Sequence, residues 1–160
     1  MRKINLEISV EIFDWDELPD TDKMIMRSAQ EALQGAYAPY SNFHVGAAVL
    51  LEDGTIIKGS NQENAAYPSG LCAERTAIFA TGANYPGQII TAIAVTAKPA
   101  SSPTFVSVSP CGACRQALLE YEYKQQKSIR MLLQGADNTV CVLQSIDSLL
   151  PIKFTQDNLG

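Results

Sequence analysis

The chain has 160 residues, enough for one domain with a substantial core, and its 46% hydrophobic and 18% charged content is that of an ordinary globular protein. A net charge of −5, with twelve basic residues that never gather into a run, is a poor footprint for holding a phosphate backbone, so no nucleic-acid partner is expected. No stretch approaches the roughly 18 apolar residues that span a membrane, so no membrane partner is expected either.

The N-terminus, Met1-Arg2-Lys3-Ile4-Asn5-Leu6-Glu7, opens with two basic residues, but acidic residues interrupt the next stretch before a signal core could form. Residues 1–20 are acidic and weakly patterned and are assigned no role; residues 21–160 are read as a single domain. Thr21 or Asp22 is placed to cap a helix whose apolar face includes Met26, Ala29 and Leu33, with Gly35 ending it. Val45 to Leu51 is strand-like, Asp53-Gly54 marks a hairpin turn, and Thr55 to Lys58 returns as the partner strand. A helix is predicted from Cys72 to about Gly82, and Ile89 to Ala97 is an apolar strand that Phe105 to Val108 would extend or follow. Gly112 to about Tyr123 reads as a helix, Ser128 to Leu133 as a strand, and Val140 to Leu143 as the last strand. Strands alternating with helices after an opening hairpin predict an α/β layered fold with a mixed sheet.

Two short runs carry the chemistry. Cys72-Ala73-Glu74 and Pro110-Cys111-Gly112-Ala113-Cys114 together supply three thiols and one carboxylate. Three thiolates bind zinc and leave the fourth tetrahedral position for a water, whose pKa the metal lowers to about 7. A carboxylate that is not a ligand can then move protons, the arrangement found in zinc deaminases of nucleobases. Taken alone, the Cys111/Cys114 pair is equally a structural zinc half-site or a redox dithiol. A structural zinc wants four protein ligands, and the remaining candidates are poor. Cys141 lies in the apolar run Thr139-Val140-Cys141-Val142-Leu143, where a cysteine acts as a small hydrophobe, and His44, the single histidine, has no ligand-like neighbour.

Helix placement explains the spacing. If Cys72 and Cys111 each open a helix, both runs sit at positive dipole ends that favour thiolate. Cys111 and Cys114, three apart, share a helical face, and Glu74 falls in the first turn of its helix, near the metal site. Glu74 could equally be an N-terminal helix acid with only dipole value, and Arg75 a surface cation. Beside three thiolates, Arg75 could instead hydrogen-bond sulfur. With three of the four cysteines committed to metal, a reducing cytosol suits the chain better than a disulfide framework.

Over residues 38–154 the chain resembles the small, homotetrameric, zinc-dependent cytidine deaminases. The resemblance rests on Tyr40-Ser41-Asn42-Phe43-His44-Val45-Gly46-Ala47-Ala48, on Gly59-Ser60-Asn61-Gln62-Glu63-Asn64-Ala65, and on Cys72-Ala73-Glu74-Arg75-Thr76-Ala77 with Pro110-Cys111-Gly112-Ala113-Cys114-Arg115-Gln116. It implies one zinc per subunit on Cys72, Cys111 and Cys114, with Glu74 as proton shuttle. It also implies that Asn61 and Glu63 bond the ribose 3′-hydroxyl, that Phe43 packs on the nucleoside, and that the Ala73 backbone meets the pyrimidine O2. Phe154 matches a C-terminal aromatic that reaches a neighbouring subunit's base. Without the resemblance, Asn61 and Glu63 read as turn-and-strand polar residues, Phe43 as core, and Phe154 as an apolar tail. The implied fold is a three-layer α/β/α sandwich around a five-stranded mixed sheet. The implied activity is hydrolytic deamination of cytidine and 2′-deoxycytidine in pyrimidine salvage, by a cytoplasmic homotetramer with shared active sites. The alternatives are a deaminase of another substrate, such as a blasticidin S-type antibiotic or a base within RNA or DNA, and a non-catalytic zinc protein.

Overall fold

In a computed structural model, residues 1–159 are described. They form six strands and three α-helices: β1 (Glu11–Asp14), α1 (Asp20–Ala32), β2 (Phe43–Leu51), β3 (Ile56–Ser60), α2 (Ala73–Asn84), β4 (Ile90–Pro99), α3 (Gly112–Gln125), β5 (Arg130–Gln134) and β6 (Thr139–Leu143). The strands form one sheet in the order β1-β6-β5-β4-β2-β3. β4 and β5 pair in parallel and every other pair is antiparallel, so the sheet is mixed.

Six strands replace the five expected. The extra one, β1, comes from the segment assigned no role: Glu11 to Asp14 pair with Val142 to Thr139 along the β6 edge. Phe13 and Trp15 pack against the core beneath α1. Pairing between the two ends of the chain is invisible to local pattern reading, which is why this acidic stretch looks unstructured in the sequence.

Alternation along the strands divides the core into two layers. Ala48 and Leu50 of β2, Ala92 and Ala94 of β4, and Val140 and Val142 of β6 face Ile25, Met26 and Ala29 of α1. Ala47, Val49, Ile93, Val95, Met131 and Leu133 face the opposite way, onto Ala73, Ala77 and Ile78 of α2 and Leu118 and Leu119 of α3. One helix on one face and two on the other make the three-layer α/β/α sandwich.

Several local expectations shift. Neither Thr21 nor Asp22 caps α1; Pro19 is the N-cap residue, and the helix has no side-chain cap. Asp22 is instead buried, 2% exposed, in a bidentate pair with Arg130 at the start of β5, with Nη1···Oδ1 2.9 Å and Nη2···Oδ2 2.6 Å. Gly35 does close the turn after α1, in a 3-10 turn over Leu33–Gly35. The hairpin turns on Gly54, whose φ of +89° is readily adopted by glycine. Residues Phe105 to Val108 form no strand, although the Val106 N–H bonds the Ala97 carbonyl.

α3 ends at Gln126, which adopts a left-handed φ of 54°. Its last turn is tied down by Glu122, a buried carboxylate that no sequence pattern marks. Glu122 accepts from the N–H groups of Ile129 (2.7 Å), Ile146 (2.9 Å) and Asp147 (3.0 Å) and from the Ser145 hydroxyl (2.6 Å). One carboxylate thus satisfies backbone donors of two separate loops and fixes them to α3.

Candidate metal and catalytic site

β3 and β4 are both antiparallel to β2, so they run in the same direction and their C-terminal ends lie on one side of the sheet. The chain leaves β3 to enter α2 and leaves β4 to enter α3, which brings the two helix N-termini together over that end, where ligands gather in α/β folds. β3 meets α2 closely at Gly59, where a Cβ would lie 2.5 Å from the Ala77 nitrogen and 2.7 Å from the Ala73 carbonyl oxygen. Only glycine lets the strand approach the first turns of α2 so closely.

Cys72 is the N-cap of α2 and Cys111 the N-cap of α3, as the spacing predicts, with Cys114 inside the first turn of α3. The three Sγ atoms lie within 4.8 Å of one another, and those of Cys111 and Cys114 are 3.6 Å apart. A tetrahedral ion with Zn–S bonds of about 2.3 Å separates its sulfurs by about 3.8 Å, so the three thiols fit zinc with small adjustment. None of the four cysteines is in a disulfide. Cys141 lies on β6, half-buried and packed against the core, outside the cluster.

The electrostatics favour the thiolate at Cys72 and the thiol at Cys114, which is raised first by donating to Cys72 and then by burial. The Cys114 thiol as donor, and then the Arg75 guanidinium, bring Cys72 well below the ordinary thiol range, to about 5, against the opposing effect of burial. Arg75 Nη2 lies 3.8 Å from Cys72 Sγ. Its Nε is buried and has no hydrogen-bond partner among the described residues. Three thiolates on a divalent ion carry a net negative charge, which this guanidinium is positioned to offset.

Glu74 is the second residue of α2, 4% exposed and adjacent to the thiols. Burial raises its carboxyl above the ordinary range, and negative charge on Cys72 adds to the rise. A buried carboxyl that can hold a proton suits a group that must both take and give one. Ala73, fully buried, occupies the first helical position. Its N–H belongs to the initial turn, whose donors have no intrahelical acceptor.

Asn61 and Glu63 converge on the segment that carries Phe43. Asn61 Oδ1 accepts from the Val45 N–H (2.9 Å) and its Nδ2 donates to the Phe43 carbonyl (2.9 Å). Glu63 Oε2 accepts from the N–H groups of Tyr40 (2.9 Å) and Ser41 (3.3 Å). The Ser41 hydroxyl first, and then the Tyr40 N–H, hold this carboxyl below its usual range. Both side chains therefore shape the turn before β2, where Asn42 takes a left-handed φ of 53° and Phe43 sits half-buried as the first strand residue. Phe154 is exposed, and its carbonyl accepts from Gln116 Nε2 (2.9 Å), which places the C-terminal segment against α3. Arg115, part of the motif around Cys111 and Cys114 but given no role there, ties the same region together by donating from Nε to the Pro110 carbonyl (2.8 Å) and from Nη1 to that of Leu149 (3.2 Å).

Residues 19–128 match the family model of the cytidine and deoxycytidylate deaminase zinc-binding region. The chain is 40% identical over 138 residues to a cytidine deaminase of Halalkalibacterium halodurans, covering 86% of this chain and 97% of that protein. It is 48% identical over 141 residues to a cytidine deaminase of Sporosarcina psychrophila, covering 88% and 96% respectively. The crystal structure of cytidine deaminase from Burkholderia pseudomallei superposes with a TM-score of 0.70 at 39% identity, covering 82% of this chain and 97% of that one. With its cysteine triad, its buried glutamate and these similarities along most of its length, the chain belongs to the zinc-dependent cytidine deaminase family.

Proposed function

We propose that this protein hydrolyses cytidine and 2′-deoxycytidine to the uridine nucleosides and ammonia. The observation that carries the reading is the buried Glu74 carboxyl set beside three thiols that fit one zinc ion. Zinc held by Cys72, Cys111 and Cys114 would supply a water acidified to a pKa of about 7. Glu74 takes the proton from the attacking water and delivers it to the pyrimidine N3 as C4 gains its oxygen. Glu74, ionised again, then takes the proton of the new C4 hydroxyl and passes it to the 4-amino group; the C4–N bond breaks, ammonia leaves and C4 becomes the uridine carbonyl. Burial supports this double duty by raising the Glu74 carboxyl, so that it holds a proton more readily than an exposed carboxylate does.

Arg75 moderates the charge of the thiolates, and the Ala73 backbone N–H is available to the pyrimidine O2. Phe43 packs on the nucleoside. Asn61 and Glu63 hold the turn that positions Phe43 and offer their remaining hydrogen-bonding capacity to the ribose 3′-hydroxyl. A free nucleoside needs no base flipping, so no unstacking cost arises.

The functional unit we infer is a cytoplasmic homotetramer with one zinc per subunit, in which Phe154 completes a neighbouring pocket. The four unbridged cysteines are consistent with a reducing compartment, and the exposed ring of Phe154, anchored through its carbonyl to α3, is available to a neighbour. Among the described residues no helix is long and apolar enough to cross a membrane. The test is the fall in ultraviolet absorbance when the purified, zinc-assayed protein meets cytidine, compared with cytosine, CMP and adenosine. Turnover of cytidine and deoxycytidine alone is expected; zinc-replete protein inert toward both would overturn the reading.

A further inference from the structure

The first twelve residues hold a pattern that the site does not use. Ile4, Leu6, Ile8, Val10 and Ile12 alternate strictly with Asn5, Glu7, Ser9 and Glu11, the signature of a strand with one apolar face. Yet all five apolar side chains are exposed, from 46% at Ile8 to 85% at Ile4. Only Glu11 onward is paired, and β1 is the outermost strand of the sheet, with β6 as its single neighbour. Residues 1–10 have no regular pairing of their own, and Ile8 and Val10 border a shallow cavity with Cys141 and Leu143 of β6. The family match begins at residue 19, after this segment.

We propose that residues 2–14 form an interchain strand pair, in which the arm of one chain lies antiparallel to the same arm of a second copy about a two-fold axis at Ile8. In this register Ile4 faces Ile12, Leu6 faces Val10 and Ile8 faces its own counterpart, so the apolar face is kept whole across the pair. Arg2 falls opposite Asp14 and Lys3 opposite Phe13, and the polar face sets Asn5 against Glu11 and Glu7 against Ser9. No like charges are opposed and one unlike pair is made at each end. Moving the axis by one residue to Glu7 would set two carboxylates against each other at the centre.

The body of the protein suits the pairing. Ile12 is in register with Cys141, and Cys141 with Leu133, so an apolar row already runs across β1, β6 and β5. Ile4 of the second copy would extend that row by one strand over the exposed Ile12. The free edge of β1 would gain its missing backbone partners, removing an exposed edge from each chain. The contact is isologous and closes as a dimer of arms.

The register is tested by single cysteines in the full-length chain under mild oxidation, read on a non-reducing denaturing gel. Ile8→Cys sits opposite itself and is expected to form a covalent dimer on the order of tenfold faster than Ser9→Cys, which is offset from its own counterpart on the other face. A mixture of Leu6→Cys and Val10→Cys chains is expected to cross-link more readily than either alone. Because these side chains are exposed, far-ultraviolet circular dichroism should match the unsubstituted chain. Equal rates for Ile8→Cys and Ser9→Cys, or the absence of a dimer from both, would overturn the proposal. The readout is independent of zinc and of turnover, so it stands or falls apart from the proposed activity.

Discussion

Gly59 sits where a strand touches the backbone of the helix that carries the first cysteine, and a single methyl group there probes how tightly fold and site are joined. In Gly59→Ala the new Cβ would lie 2.5 Å from Ala77 N, 2.7 Å from Ala73 O and 2.9 Å from Ala77 Cα. All three are backbone atoms, so no rotamer change relieves the overlap. Ordinary contact begins at 3.4 Å, and 3.4 less 2.5 requires α2 to retreat by about 0.9 Å, a substantial shift in a close-packed interior. Overpacking of this kind costs about 1–3 kcal/mol, a fall in Tm of about 2–12 °C for a domain of this size. The larger consequence is at the site. Cys72 and Glu74 flank Ala73, whereas Cys111 and Cys114 belong to α3 and do not move with them. Metal–ligand distances tolerate about 0.2 Å, and a misplacement of about 1 Å in a reacting group costs about 10²-fold in rate. Gly59→Ala is therefore expected to lose zinc faster to a chelator and to turn over cytidine about a hundredfold more slowly, while still folding. Elemental analysis after chelator challenge, differential scanning fluorimetry and steady-state kinetics give the three readings. Wild-type zinc retention and wild-type kcat/KM would refute the inference that β3 sets the position of α2.

Glu74→Gln should keep the fold and one zinc per chain but lose about 10² to 10⁴ in rate for each proton transfer it serves; near-normal turnover in zinc-replete protein would sink the mechanism. Cys72→Ala, Cys111→Ala and Cys114→Ala should each lose zinc by elemental analysis, whereas Cys141→Ser should retain zinc and activity. Loss of zinc from Cys141→Ser would mean a structural site closed by four cysteines. Glu122→Ala should lower stability by about 3 kcal/mol or more, since each buried donor left unpaired costs about 1–3 kcal/mol; chemical denaturation measures it, and a loss below about 1 kcal/mol would show that water replaces the carboxylate. Phe154→Ala should raise the Michaelis constant for cytidine, because an aromatic–base stacking contact is worth about 1–3 kcal/mol; unchanged kinetics would remove Phe154 from the pocket.

The features legible in the amino-acid sequence are those whose causes are short-range. Cys72 with Glu74, and Cys111 with Cys114, are close in the chain, and helix geometry carries each set to one place whatever the rest of the fold does. The alternation in β2 and β4 and the apolar stripe of α1 are likewise local, so the layered α/β class was legible, as was the reading of Cys141 as a core residue. Tertiary structure decided where the partner is remote. Asp22 has the composition of a helix cap, but Arg130, 108 residues later, claims its carboxylate because the start of β5 packs beside α1. The sixth strand exists only because β6 presents an edge for Glu11 to Asp14. Asn61 and Glu63 are unremarkable polar residues until the fold sets the 40–45 turn against them. Glu122 looks like any exposed helix acid until two loops bring four donors to it. In each instance, chemistry in the chain defined what a side chain could do, and packing over long sequence separations chose which partner it met, because burial makes an unpaired polar group too costly to leave.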